Sequence, residues 1–247
     1  MDHPYLIKIP VEKPELQQSQ PSDMAEIREM FHQINQRYMV YEPSSYYYTV
    51  KRITDITISM FFIVFVMSWL YPIVALFIRI TSKGSILFVQ KRTGYKGLDF
   101  DCYKFRTMFE NEEADTRQAS SDDRRITPVG RFLRMTHIDE TPQFFNVLLG
   151  DMSIVGPRPH MLYHTYSYAK LTPYYNLRHD AQPGMTGMAQ IKGYIGEINA
   201  ERELRKRVQW DIYYLKHRSI LLDFKIIFAT IGHVVLQAIH LIFKKRD

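Results

Sequence analysis

The stretch "ITISMFFIVFVMSWLYPIVALFI", Ile56 to Ile78, runs for 23 residues without a charged side chain, and no other feature of this 247-residue chain restricts its fold as strongly. As a straight helix it spans roughly 35 Å, enough to cross the hydrocarbon core of a bilayer. Lys51 and Arg52 precede it, and Arg79 and Lys83 follow it. The preference for basic residues on the cytoplasmic side therefore asks both ends to lie on one side. Pro72 lies inside the run and removes a helix N–H, which predicts a break or kink there. A helix over Ile53–Ile80 that enters, bends near Pro72 and returns satisfies both observations. A tilted single span that tolerates the proline is the alternative.

The remainder of the chain asks for an anionic partner. The formal net charge is +6, yet residues 1–50 carry four Lys/Arg against seven Asp/Glu, which leaves about +9 on the rest. An anionic membrane surface, a nucleotide-linked substrate and nucleic acid all answer to such a balance. Nucleic acid is disfavoured, because the basic residues neighbour acids and glycine turns and form no continuous stripe with stacking aromatics. One cysteine, Cys102, excludes an internal disulfide, fits a reducing compartment and reads as a small buried filler. The start, "MDHPYLIKIPVEKPELQQSQPS", lacks the apolar core of a secretory signal and reads as a flexible tail. A helix is expected over "SDMAEIREMFHQINQRY".

Two adjacent acids stand out in this basic setting. In "RMTHIDETPQFFN", Asp139 and Glu140 precede Pro142, which suits a first helical turn, and "QFFNVLL" then runs to Gly150 as a stop. Both carboxylates thus sit at the positive end of a helix dipole. Helix capping by Asp139 or Thr141 is the plain explanation. The neighbouring motifs argue for more. "KFRTM" and "GRFLRM" offer Lys104, Arg106, Arg131 and Arg134, and "GDMSIVGPRP" locks a sharp loop around Asp151 and Arg158. Each arginine taken alone is better explained as a solvated surface charge. Converging on a carboxylate pair, they are what Mg²⁺ and a phosphorylated substrate require: acids for the hard cation, guanidinium forks for phosphate oxygens.

Elsewhere, "ILFVQKRTGYKGLDFDCYKFRTM" predicts a hairpin with "TGYKG" as its turn. Its "DFD" is similar to the Asp-x-Asp metal site of some nucleotide-sugar transferases but reads as acids on an exposed strand face. "ENEEADTRQASSDDRR" reads as a polar surface loop or lid. The glycines of "RHDAQPGMTGMAQIKGY" would let backbone approach a ligand. The end, "LLDFKIIFATIGHVVLQAIHLIFKKRD", predicts an apolar helix whose His233, Gln237 and His240 form one polar, interfacial stripe rather than a metal site.

Taken in order over residues 51–231, "KRITD", "FVQKRTGYKG", "YKFRTM", "GRFLRMTHIDETPQFFNVLLGDMSIVGPRP", "PGMTGMAQIKGY" and "WDIYYLKHRSILLDFKII" resemble the bacterial sugar transferase family, the monotopic phosphoglycosyl transferases. The resemblance implies an enzyme that moves a sugar 1-phosphate from a nucleotide diphosphate sugar, a UDP-sugar in most members, to polyprenol phosphate. The products are polyprenol diphosphate sugar and UMP, and the step opens the membrane stage of glycan assembly. By the same resemblance Asp139 is the nucleophile, Glu140 a Mg²⁺ ligand with Asp139 beside it, and Lys104, Arg134 and Arg158 bind substrate phosphate or nucleotide; Arg106 of "KFRTM" joins them as a substrate-binding candidate, and Asp151 anchors its loop. The chain departs from the pattern at Thr141, where leucine is common, and at Tyr71, where serine is.

The expected fold is α+β: an N-terminal extension (1–50), a re-entrant membrane helix (51–83), a mostly helical catalytic domain with a short β-hairpin (84–215) and a C-terminal amphipathic interfacial helix (216–247). The expected location is the bacterial cytoplasmic membrane, with the catalytic domain on the cytoplasmic face. A catalytically silent membrane scaffold for polysaccharide assembly is the rival reading, and loss of the Asp-Glu pair would have favoured it. The identity of the sugar and the oligomeric state, a homo-oligomer included, stay open.

Overall fold

Ser44 accepts the backbone N–H of Tyr47 on its side-chain oxygen and opens a helical run from Ser45 to Thr81. The computed structural model describes residues 42–111, 123–172, 174–196, 198 and 200–244. The expected N-terminal tail and helix, and most of the acid-rich loop, lie outside the described residues. The run consists of α1 (Ser45–Phe62), a π-helical turn (Ile63–Met67) and α2 (Ser68–Thr81). The expected break at Pro72 is therefore corrected. Pro72 lies within α2, and the departure from α geometry comes one turn earlier, where the Ser68 N–H reaches back five residues to the Ile63 carbonyl. A proline cannot donate to the carbonyl four residues before it and crowds it. A wider turn just upstream gives that backbone room, and nearby carbonyls gain side-chain donors: Ser68 Oγ to Val64 at 2.7 Å and Trp69 Nε1 to Phe65 at 2.9 Å.

This helical run is apolar on the outside and partly polar on the inside. Ile53, Phe61, Phe65, Trp69, Phe77 and Ile80 are exposed, whereas Asp55 and Ser59 are buried. Lys51 and Arg52, expected as flanking charges, turn into the protein. Lys51 Nζ donates to the Val155 carbonyl (2.9 Å) and Asp223 (3.0 Å), and Arg52 donates to the carbonyls of Val147 (2.6 Å) and Leu148 (2.8 Å). Asp55 accepts the Ile154 N–H at 2.9 Å. Further along, Met67, Val74 and Ile78 pack with Phe105 and Leu133. Both ends of the run thus rest on one body.

The hairpin forms as expected: β1 (Leu87–Thr93) and β2 (Asp99–Phe105) pair antiparallel with Gln90 opposite Cys102. Cys102 is fully buried, and the exposed Asp101 pairs with Lys91 across the strands at 2.9 Å. Helix α3 (Pro128–Met135) is capped by Thr127, whose oxygen accepts the Gly130 N–H. Gly130 lies directly on the strand exit, where a Cβ would fall 1.9 Å from the Thr107 carbonyl oxygen. Helix α4 (Gln143–Leu149) ends at Gly150, left-handed at φ 98°. The sequence reading missed a second ladder, β3 (Ser153–Val155) parallel to β4 (Gly184–Thr186). The glycine-rich loop was expected to approach a ligand; instead Gly184 meets Gly156, where a Cβ would come within 2.1 Å of backbone.

Helices α5 (Leu162–Leu171), α6 (Met188–Ile191), α7 (Glu201–His217) and α8 (Ile220–Lys244) complete a mostly helical α+β fold with two two-stranded sheets among the described residues. The main core joins Cys102, Val147, Met152, Val155, Tyr214, Leu215 and Ile226. Asp223 of α8 accepts hydrogen bonds from Tyr47 and Tyr214, which ties α8 to α1 and α7.

Candidate active site

Four segments deliver the site, helix α3 with Arg134 among them. A 3₁₀ turn, Ile138–Glu140, carries the two acids; β2 delivers Lys104; the loop after β3 delivers Arg158. Asn146, fully buried on α4, binds the turn's helix to the hairpin by accepting the Tyr103 N–H (3.0 Å) and donating to the Asp101 carbonyl (2.6 Å). It also donates to Asp151 at 3.2 Å, which anchors the loop after α4. The capping explanation finds no support: α4 has no side-chain cap, and the Thr141 hydroxyl donates to the Ile138 carbonyl instead.

Glu140 is held by two cations. Arg158 grips it as a fork, Nη1 to Oε2 at 2.9 Å and Nη2 to Oε1, and Lys104 Nζ lies 2.6 Å from Oε1. Burial alone would raise its pKa, but Arg158 and Lys104 outweigh burial and hold the carboxyl well below the usual range. The same pairing pushes the Arg158 guanidinium upward. Asp139 differs. It is 8 % exposed, and its carboxylate makes no hydrogen bond among the described residues. Burial pushes its pKa up and Glu140 adds to that, against the opposing charges of Lys104, Arg134 and Arg158. Arg134 reaches this spot from α3, its Nε donating to Thr107 Oγ1 at 2.8 Å. Burial lowers its pKa, partly offset by Asp139.

Lys104, Arg134, Arg158, Asp139 and Glu140 therefore converge. Arg106 does not. Its guanidinium binds the carbonyls of Ser82 (3.0 Å) and Lys83 where α2 leads into the hairpin, which braces the exit of that helix. Arg131 is exposed on α3. The sequence reading also missed the wall behind Arg158. Arg178, 1 % exposed, donates to the Arg158 carbonyl at 2.7 Å and to Asp211 at 2.9 Å, and the His160 ring meets Tyr175 Oη at 2.6 Å. The one hint was Asp211 in the apolar run "VQWDIYYL", a charge on the buried face of α7.

Among the described residues no group of three or more His, Cys, Asp and Glu gathers to cage a metal. Two adjacent carboxylates remain, and Mg²⁺ is commonly bound by one or two carboxylates with substrate phosphates completing the shell. The donor set fits that mode and no all-protein cage.

The family model described as bacterial sugar transferase matches residues 46–237, which encompass every element of this site. This chain belongs to the bacterial sugar transferase family. Within the family it is 44% identical over 182 residues to a UDP-glucose:undecaprenyl-phosphate glucose-1-phosphate transferase of Klebsiella pneumoniae, covering 73% of this chain and 39% of that protein. It is 40% identical over 195 residues to a UDP-N-acetylgalactosamine-undecaprenyl-phosphate N-acetylgalactosaminephosphotransferase of Aeromonas hydrophila, covering 78% of this chain and 45% of the relative. A Caulobacter vibrioides UDP-glucose:undecaprenyl-phosphate glucose-1-phosphate transferase is 41% identical over 182 residues, covering 73% and 68%. The chain thus spans less than half the length of the first two of these relatives. Two of its helices, Ser45–Thr81 and Ile220–Gln237, are long and apolar enough to cross a membrane by length and composition.

Proposed function

We propose that this protein transfers a sugar 1-phosphate from a nucleotide diphosphate sugar to a polyprenol phosphate, by way of a covalent intermediate on Asp139. The observation that carries the proposal is Asp139 itself: a buried carboxylate with no hydrogen-bond partner among the described residues, flanked by Lys104, Arg134 and Arg158. A group kept only for structure would be capped or paired, since unpaired buried charge is costly. The names of the relatives supply the substrate classes, a UDP-sugar donor and undecaprenyl phosphate as acceptor.

In the first step an Asp139 oxygen attacks the sugar-bearing phosphorus, a P–O bond forms to the carboxylate, and the P–O bond to UMP breaks. UMP departs before the acceptor arrives, so two anionic substrates never crowd the site together. In the second step an acceptor phosphate oxygen attacks the same phosphorus and Asp139 is released. Arg134 faces the charge that develops on the phosphoryl oxygens, and Lys104 and Arg158, already held on Glu140, sit within reach of it. Mg²⁺, held by Glu140 and Asp139 with the diphosphate, would supply further charge neutralisation.

The membrane arrangement belongs to the same proposal. Lys51 and Arg52 near one end of the first helical run, and Ile78 near the other, contact one body, which supports a re-entrant helix over residues 51–83 and not a span. The apolar outer face of α8 supports an interfacial C-terminal segment over 216–247. The domain between them would then lie on the cytoplasmic face of the inner membrane, beside both substrates.

A radiolabel transfer assay over a panel of UDP-sugars with undecaprenyl phosphate tests the reaction, and intact mass after incubation with donor alone should show a sugar-phosphate adduct. No transfer from any donor, with the protein folded and membrane-bound, would favour the silent scaffold instead.

A further inference from the structure

The C-terminal helix reaches the catalytic turn through one amide. Beyond Ile231, α8 exposes apolar side chains on all sides, Val234, Val235, Leu236 and Ile239 among them. Gln237 interrupts this surface with both ends of its side chain engaged. Its Nε2 donates to the Met135 carbonyl at 3.1 Å, and its Oε1 pairs with His137 Nε2 at 3.3 Å. Because the carbonyl can only accept, it fixes which end of the amide carries nitrogen, so His137 presents an Nε2–H to the amide oxygen.

The residues that Gln237 touches form a joint. Met135 ends α3, whose last carbonyls have no partner within the helix. His137 is left-handed at φ 57°, ψ 13°, a conformation that a non-glycine residue keeps when its surroundings impose it. The His137 N–H donates to the Arg134 carbonyl at 3.3 Å, and its own carbonyl accepts the Glu140 N–H at 3.2 Å. Met135 to His137 therefore connects Arg134, on α3, to Asp139, in the 3₁₀ turn. Gln237 holds both ends of that connection.

We propose that Gln237 is a positioning residue: docking of α8 clamps the Met135–His137 joint and sets where Arg134 stands relative to Asp139. Both contacts lie at the surface of the protein itself; where the apolar surface of α8 meets lipid, no water replaces a lost partner of the amide, so the clamp binds that helix to the site more firmly than the same contact would in water. The kinetic part of this inference rests on the transferase reading above; the structural part does not.

The test uses the full chain in lipid nanodiscs. Gln237→Leu keeps the side-chain volume and the apolar helix, so membrane association is retained. A misplaced phosphate-facing group costs rate more than binding, and the expected result is a drop in kcat of about ten-fold with donor KM nearly unchanged. His137→Ala should show a similar loss, and the double variant should be no worse than either single one. Backbone hydrogen exchange over residues 134–141 should quicken in Gln237→Leu. Unchanged exchange, additive losses, or loss of membrane association with kcat intact would each overturn the clamp. If the unaltered protein transfers no sugar from any donor, the transferase reading fails, and the exchange comparison still decides the clamp.

Discussion

Asp139→Asn should make the protein inactive and more stable at once. The substitution preserves shape and removes only the charge. In the folded protein, burial raises the Asp139 pKa by more than Lys104, Arg134 and Arg158 lower it, so ionising this carboxyl in place costs more than ionising it in water. The amide avoids that cost and the repulsion from Glu140, and no hydrogen bond to a described residue is lost with the carboxylate. Relief of such an active-site conflict is worth about 0.5–2 kcal/mol. For a chain of this length about 1 kcal/mol moves Tm by roughly 2–4 °C. The sign can be checked with pH. A carboxyl with a raised folded-state pKa makes the protein lose stability as pH rises from the unfolded pKa through the folded one, so the gap between the variants should be widest near neutral pH and close in acid. Turnover should fall by about 10³-fold or more, as for loss of other covalent nucleophiles. Thermal unfolding in nanodiscs across pH, beside the transfer assay, measures both. A lower Tm for the variant, a gap that widens in acid, or surviving turnover would refute the reasoning.

Arg158→Lys keeps the charge but loses the two-pronged grip on Glu140, a charge-assisted bond worth about 1.5–3 kcal/mol, and both melting temperature and transfer rate should fall. Glu140→Gln should lower the rate and raise the Mg²⁺ concentration needed for half-maximal activity; full activity in excess chelator would contradict the metal role. Gly130→Ala should destabilise by about 1–3 kcal/mol, because the added Cβ meets the Thr107 carbonyl oxygen at 1.9 Å and that oxygen is held by Thr127. Cysteines placed near Ser22 and near Asp247, in a background lacking Cys102, should react with a membrane-impermeant thiol reagent only after cell lysis. Labelling near Ser22 in intact cells would mean that the first long helix spans. Pro72→Ala should leave the labelling unchanged, because the helix departs from α geometry at Ile63–Met67 and not at the proline.

Where an element depends on residues a few positions apart, the chain states it openly. Pro142 and Gly150 bracket α4, "TGYKG" turns the hairpin, and the long uncharged run from Ile56 makes a helix because helix, strand and turn preferences are local. The acid pair was legible for the same reason, as two carboxylates just ahead of a helix start. The destinations of the cations were not. Arg106 and Lys104 leave the same strand region two residues apart, yet one binds the Ser82 and Lys83 carbonyls and the other binds Glu140. Lys51 and Arg52 read as charges flanking a membrane segment and prove to hold carbonyls at Val155, Val147 and Leu148. A long flexible cation goes where distant packing leaves an acceptor, and no local pattern encodes that. The parallel ladder at Ser153–Val155, the meeting of Gly156 with Gly184 and the reach of Gln237 to His137 likewise depend on segments about 30 to 100 residues apart. The sequence by itself determined the locally encoded helices, the hairpin and the acid pair; tertiary packing decided the parallel ladder and which cations face Asp139, and left that carboxylate without a hydrogen-bond partner among the described residues.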